Sequence, residues 1–152
     1  MTASIIYLDA NSFIYAVEGD ATTAEPIKTL FFALRQNPGM AITSELTLAE
    51  VLAPPDRKDA LPLHVKRRLY LDLLVWSRFI DLKPVSRDVL YETADLRNVA
   101  KMKLPDAIHL VTAIQNKCRY FVSKDRRLKI PRGMKLVPPD KNGIAQVLKE
   151  IA

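Results

Sequence analysis

Short apolar runs alternate with longer amphipathic segments along this chain. Ser4 to Leu8 is an apolar run of strand length with nothing helical in its flanks. Met40–Thr43, Phe79–Leu82, Arg119–Val122 and Lys135–Val137 have the same character and predict four further strands. Between them the apolar positions recur at helical spacing. Asn11 to Val17 reads as a helical turn or two, and Thr23 to Gln36 as a helix with Ile27, Leu30, Phe31 and Leu34 inward, stopped by Asn37-Pro38-Gly39. Thr43 or Ser44 caps a helix carrying Leu46, Ala49, Glu50 and Leu52, ended by Pro54-Pro55; Asp56 to Ala60 is a loop. Leu63 to Arg78 places Val65, Leu69, Leu73 and Trp76 on one stripe. Ser86 caps a helix to about Met102, and Pro105 opens another, Asp106 to Asn116, with Ile108, Val111 and Thr112 inward. Lys124 to Leu128 predicts a helical turn and Ile144 to Ile151 a last helix, while Phe31, Phe32, Phe79 and Trp76 read as core. Strands this short and apolar, separated by helices, predict an α/β fold whose parallel sheet is covered on both faces.

Composition narrows the class. A chain of 152 residues, 49% hydrophobic and 26% charged with four glycines, fits one soluble domain with a core of its own. No apolar run approaches the roughly 18 residues that span a bilayer, so no membrane association is expected. The Met1-Thr2-Ala3-Ser4 start lacks the basic and long apolar regions of a signal peptide. Cys118 is the only cysteine, which excludes an internal disulfide and makes a reducing cytoplasm the expected location. The net charge of +6 points to an anionic partner.

Charge is unevenly placed. Between Lys101 and Lys135 there are ten Lys or Arg residues and two acids, Asp106 and Asp125. Asp9, Glu50, Asp106 and Asp125 all lie where an apolar strand ends or a helix begins, the edge of a parallel sheet at which ligands bind. Singly, each has an ordinary explanation. Asp9 and Asp106 could serve as helix starts, where the dipole favours a negative charge by roughly 0.3–1 kcal/mol; Asp125 occupies a similar position. Glu50 could be a solvated helix residue, and the capping-box spacing of Thr47-x-x-Glu50 falls too far into its helix to cap it. Gathered in one site, the four would hold a divalent cation and act on a phosphodiester. Two carboxylates 4 Å apart repel by about 4 kcal/mol at an effective dielectric near 20. A cation cancels that repulsion, and without it at least one acid should titrate high.

The wording around the acids is more specific than their placement. Leu8-Asp9-Ala10-Asn11-Ser12-Phe13-Ile14-Tyr15-Ala16 resembles the first motif of PIN-domain ribonucleases, in particular the VapC-type toxins. Thr43-Ser44-Glu45-Leu46-Thr47-Leu48-Ala49-Glu50-Val51 resembles the second, Leu104-Pro105-Asp106-Ala107-Ile108-His109-Leu110-Val111-Thr112-Ala113 the third, and Phe121-Val122-Ser123-Lys124-Asp125-Arg126-Arg127-Leu128 the fourth. The motifs run in order from about Ile5 to Val137. The resemblance implies a three-layer α/β/α PIN-like fold with a central, mainly parallel sheet of four to five short strands. It implies a single domain over 1–152, with a core at about 5–137 and a tail helix in 138–152. It further implies an endoribonuclease dependent on Mg²⁺ or Mn²⁺, with Asp9, Glu50, Asp106 and Asp125 as the catalytic set and Asn11 and Ser123 as polar helpers. Asp9 and Asp106 would hold the main ion, and Glu50 and Asp125 would orient the attacking water or hold a second ion. The insert Pro54-Pro55-Asp56-Arg57-Lys58-Asp59 is the main departure.

Lys124, Arg126 and Arg127 flank Asp125 and are expected to contact substrate phosphates, which gives affinity without sequence preference. Lys66, Arg67 and Arg68 form a second basic cluster, expected on a solvated face. His64 and His109 have no ligand-like neighbours in sequence; His109 is expected to be a packed helix residue and Cys118 a core filler. By the same resemblance the partners are an RNA substrate, a small antitoxin laid across the site and a second copy of the chain in a homodimer. The helices Ser44–Ala53 and Leu63–Arg78 are the expected contact surfaces. Two other readings of the fold are a non-catalytic RNA-binding or scaffold module and a structure-specific DNA nuclease. The first should have lost an acid, and none of the four is missing.

Overall fold

The computed structural model describes residues 5–53 and 61–151. The expected stop at Pro54-Pro55, the loop Asp56–Ala60 and the first residue of the Ser4–Leu8 run lie outside them. Five strands, β1 (Ile6–Leu8), β2 (Ala41–Ser44), β3 (Ile80–Lys83), β4 (Tyr120–Val122) and β5 (Lys135–Val137), form one sheet in the order β3-β2-β1-β4-β5. Every pairing is parallel. β1 and β2 are wholly buried, as strands covered on both faces must be.

Alternation along β1 sends its side chains to two separate cores. Ile6 and Leu8 join Phe13 of α1 (Ala10–Glu18), Ile27, Leu30, Phe31 and Leu34 of α2 (Ala21–Gln36), and Tyr70 of α4 (Leu63–Leu71). Ile144, Val147 and Ile151 of α7 (Lys141–Ile151) complete that core, so the last helix is packed into the body of the fold. Tyr7, with Ile42 and Phe121, faces the other way onto Leu110 and Ala113 of α6 (Leu104–Gln115). Val89 of α5 (Arg87–Val99) then packs on Ile108 and Val111 of α6. The result is a three-layer α/β/α sandwich on an all-parallel sheet. No described helix is long and apolar enough to cross a membrane.

Local chemistry accounts for several boundaries. Ser86 Oγ accepts from the Val89 amide at 3.2 Å and starts α5. Asp20 does the same for α2 through the Thr23 amide at 2.8 Å. Asn37-Pro38-Gly39 ends α2, with Gly39 at φ +87°, a conformation that favours glycine.

Three expectations are corrected. After α4 the chain continues as a π-helical turn, Asp72–Trp76, and the fully buried positions are Lys66, Tyr70 and Leu74; of the expected stripe Leu73 packs against the core, Val65 is half-buried, and Leu69 and Trp76 are exposed. Phe32 and Trp76 are 68% and 66% exposed, so neither is core. Lys66 is buried and donates from Nζ to the Ala53 carbonyl at 3.1 Å, which removes it from the solvated cluster.

Candidate functional site

From β1 the chain steps to β2 and β3 on one side, whereas β4 leads to β5 on the other. The carboxyl ends of β1 and β4 therefore flank the switch in strand order, where a crevice opens in sheets of this kind. Leu8 pairs with Val122, so Asp9 and Ser123 stand opposite each other just beyond the last pair. Asp9 precedes α1 in extended conformation, but its side chain makes no capping hydrogen bond. The helix-start explanation thus leaves one of its carboxylate oxygens, Oδ1, unaccounted for.

That carboxylate is only 9% exposed, and its Oδ1 is buried without a hydrogen-bond partner among the described residues. Burial pushes the Asp9 pKa up to about 6. The Ser123 hydroxyl, the His109 ring and the Ser12 amide offset part of that penalty, and the nearby Glu50 charge adds to it. Asp9 is the acid that titrates high, and the main cause is desolvation rather than repulsion between carboxylates.

Glu50 is brought in by α3 (Leu46–Val51). Thr43 Oγ1 donates to the Leu8 carbonyl at 2.6 Å and shares a 2.7 Å hydrogen bond with Thr47 Oγ1. These bonds tie α3 to the end of β1 and carry Glu50, one turn beyond Thr47, towards Asp9. The Thr47 hydroxyl is thus used on Thr43 rather than in a capping box. Glu50 Oε1 meets His109 Nε2 at 2.5 Å, and His109 Nδ1 meets the Tyr7 hydroxyl at 2.5 Å. His109, expected as a packed helix residue, is buried and has a polar partner at each end of its ring. Its position one turn after Asp106 was the signal in the sequence, because residues three apart share a helix face.

Asp106 is half-buried in the first turn of α6, on the same face as His109. Asp125 stands at the rim. Its Oδ1 accepts from the Arg127 amide at 3.0 Å and from Arg127 Nε at 3.2 Å. The Arg127 amide above all, then the Arg127 and Lys103 charges, hold its carboxyl below the usual range. These bonds make residues 124–128 a turn organised by a carboxylate, not the helical turn expected. Ser123 Oγ accepts from the Asp125 amide at 3.1 Å and so links the rim to Asp9. Asp9, Glu50, Ser123 and His109 are therefore drawn together, Asp106 shares the His109 face, and Asp125 is occupied by Arg127. Asn11 is half-buried two residues after Asp9. Lys124 and Arg126 are exposed and line an open cavity of about 900 Å³ beside Tyr15, with Lys124 Nζ 5.9 Å from the Tyr15 ring centre.

Among the described residues no three His, Cys, Asp or Glu side chains are arranged to hold an ion. Glu50 is engaged by His109 instead. The donor set nevertheless suits a hard divalent cation: carboxylate oxygens at the switch point, one of them buried and unpartnered, beside a basic surface. An uncompensated buried carboxylate oxygen is costly, and a cation would satisfy it.

Residues 6–133 match the family described as PIN domain. Among solved structures, a toxin–antitoxin complex from Klebsiella pneumoniae aligns at a TM-score of 0.62 with 26% identity, covering 88% of this chain and 97% of that one. VapBC2 from Rickettsia felis bound to a DNA fragment from their promoter aligns at 0.62 with 17% identity, covering 88% and 98%. FitAB bound to an IR36 DNA fragment aligns at 0.62 with 18% identity, covering 89% and 95%. At the two lower identities the likeness is one of fold. No curated protein matches the chain.

Proposed function

The chain belongs to the PIN-domain family, and from that premise we propose that it is an endoribonuclease dependent on Mg²⁺ or Mn²⁺, the toxin of a toxin–antitoxin pair. PIN domains are generally nucleases that use divalent metals. The observation that carries the reading is Asp9: a buried carboxylate with an unpartnered oxygen at the switch point of the sheet, with Glu50 close enough to raise its pKa.

Asp9 and Asp106 would hold the ion. Bound there, it would offset the charge of the phosphodiester and make a water more acidic. Glu50 would orient an attacking water and take its proton as the new phosphorus–oxygen bond forms and the bond to the leaving ribose oxygen breaks, that oxygen taking its proton from solvent. Ser123 keeps Asp9 in place, Asn11 adds a polar contact, and Asp125 steadies the rim. Lys124 and Arg126 grip the flanking phosphates, and Arg127 joins them if substrate draws it from Asp125. Purified protein should cut single-stranded RNA with Mg²⁺ or Mn²⁺ and stop with EDTA. Cleavage undiminished by EDTA would contradict the proposal.

The toxin role draws support from the Klebsiella pneumoniae structure, a toxin–antitoxin complex at 26% identity. A suitable surface lies between α2 and the expected segment Leu63–Arg78: Phe32 of α2 with Leu69 and Trp76 line an open groove of about 740 Å³, with Lys28, Arg35 and Asp72 beside them. Such a groove fits an amphipathic antitoxin segment carrying acids. A homodimer belongs to the same proposal. Growth arrest on expression, relieved by the neighbouring open reading frame, is the test of the toxin role; indifference to expression would remove it and leave the nuclease.

A further inference from the structure

Tyr7, His109 and Glu50 form one continuous polar line that crosses from the sheet to the site. Tyr7 is fully buried on β1, stacked on Phe121 with ring centres 4.9 Å apart, and His109 is 4% exposed on α6. The Ser44 amide donates to the Tyr7 oxygen at 3.1 Å. An amide hydrogen already occupies that oxygen, so the phenolic hydrogen is free to point at His109 Nδ1, 2.5 Å away. Nδ1 then accepts, and the ring hydrogen falls on Nε2, which faces Glu50 Oε1 at 2.5 Å. Each group in the line fixes the next.

We infer that His109 is a positioning residue: held in its Nε2–H tautomer by Tyr7, it donates to Glu50 Oε1, fixes the carboxylate beside Asp9, and leaves Oε2 for the reaction. The inference rests on the nuclease reading for its catalytic consequence but not for its geometry. A buried histidine that only filled space would need neither partner. Here both ring nitrogens meet oxygens from elements distant in sequence, one turn along the helix from Asp106. Partners that orient the groups of a metal site typically change affinity or activity by about 10–100-fold when removed.

The experiment compares His109→Gln, His109→Leu and Tyr7→Phe. Glutamine can place an N–H where Nε2 stands but is not a ring; leucine fills the apolar surroundings but donates nothing. Positioning predicts that His109→Leu lowers kcat for RNA by about 10–100-fold with KM nearly unchanged, and weakens Mn²⁺ binding by a similar factor, while His109→Gln keeps most of both. A packing role alone predicts the reverse order, leucine better tolerated than glutamine. Nitrogen-15 NMR of the metal-free protein should find the hydrogen on Nε2 and Nδ1 bare. Tyr7→Phe should leave Nδ1 without its donor, loosen the ring and lower kcat. Leucine equal to or better than glutamine in Mn²⁺ affinity, or a hydrogen on Nδ1 in the wild type, would overturn the inference. If the wild type cleaves no RNA, the nuclease reading fails alone, because Mn²⁺ affinity and the ring tautomer still decide the role of His109.

Discussion

Replacing Asp9 by asparagine should stabilise the metal-free protein at neutral pH while abolishing cleavage. Asp9 is buried, and its folded pKa of about 6 lies above the usual 3.8. The carboxyl's contribution to stability is therefore whole below about pH 3.8 and is lost as pH rises through about 6. A separation of about 2 units at 1.36 kcal/mol each is worth about 3 kcal/mol once both states are ionised. Asparagine carries no charge to desolvate, so Asp9→Asn escapes that loss. Its amide hydrogens can cost about 1–3 kcal/mol if left unpaired, but this cost does not change with pH. The difference between variant and wild type should thus grow by about 2–3 kcal/mol from pH 4 to pH 8, or roughly 5–10 °C in melting temperature for a domain of this size. Unfolding in urea with EDTA at pH 4, 6 and 8 measures it. Adding Mg²⁺ at a hundred times its dissociation constant should return about 2.7 kcal/mol to the wild type and little to the variant. A stability difference that stays flat from pH 4 to pH 8 would refute the reasoning.

Other outcomes follow from the same geometry. Asp106→Asn should abolish cleavage and leave the melting temperature within a few degrees, since this half-buried side chain makes no hydrogen bond or ion pair among the described residues and asparagine keeps its shape; cleavage near the wild-type rate would remove Asp106 from the site. Lys124→Ala with Arg126→Ala should weaken single-stranded RNA binding evenly across sequences and lower the salt slope by about 1.4, from two lost phosphate contacts at about 0.7 each. An unchanged slope would place substrate elsewhere. The Cys118 thiol is buried and pushed up to about 12, so native protein at pH 8 should resist thiol reagents that label it rapidly in urea. Rapid labelling of the folded protein would contradict that burial.

The placement of Asp9 was legible because it follows a run of apolar residues that reads as a buried strand, and the end of such a strand in a parallel sheet faces the crevice; Glu50 and Asp106 lie within helices, and only the fold shows which way they turn. Ser86 and Pro105 marked helix starts by side-chain and ring chemistry that acts locally. The phase of α4 was not legible, because its inward residues carry polar tips. Lys66 reaches the Ala53 carbonyl and Tyr70 donates to Glu18 at 2.5 Å, while Leu69 and Trp76 stay at the surface. A hydrophobicity pattern ranks the wrong stripe when buried polar groups are satisfied and apolar ones line a groove. Residues 124–128 misled for a related reason: the Asp125 carboxylate bonds the amide two residues on and competes with the helix. His109 was undervalued because its partners lie 102 and 59 residues away, a proximity only the fold creates.

The most direct test is anomalous diffraction from crystals grown with Mn²⁺. The account predicts an ion against the buried Asp9 Oδ1, with Asp106 bound directly or through water and Glu50 still held by His109. Crystals with Mn²⁺ at millimolar concentration and no ion within reach of Asp9 would contradict it.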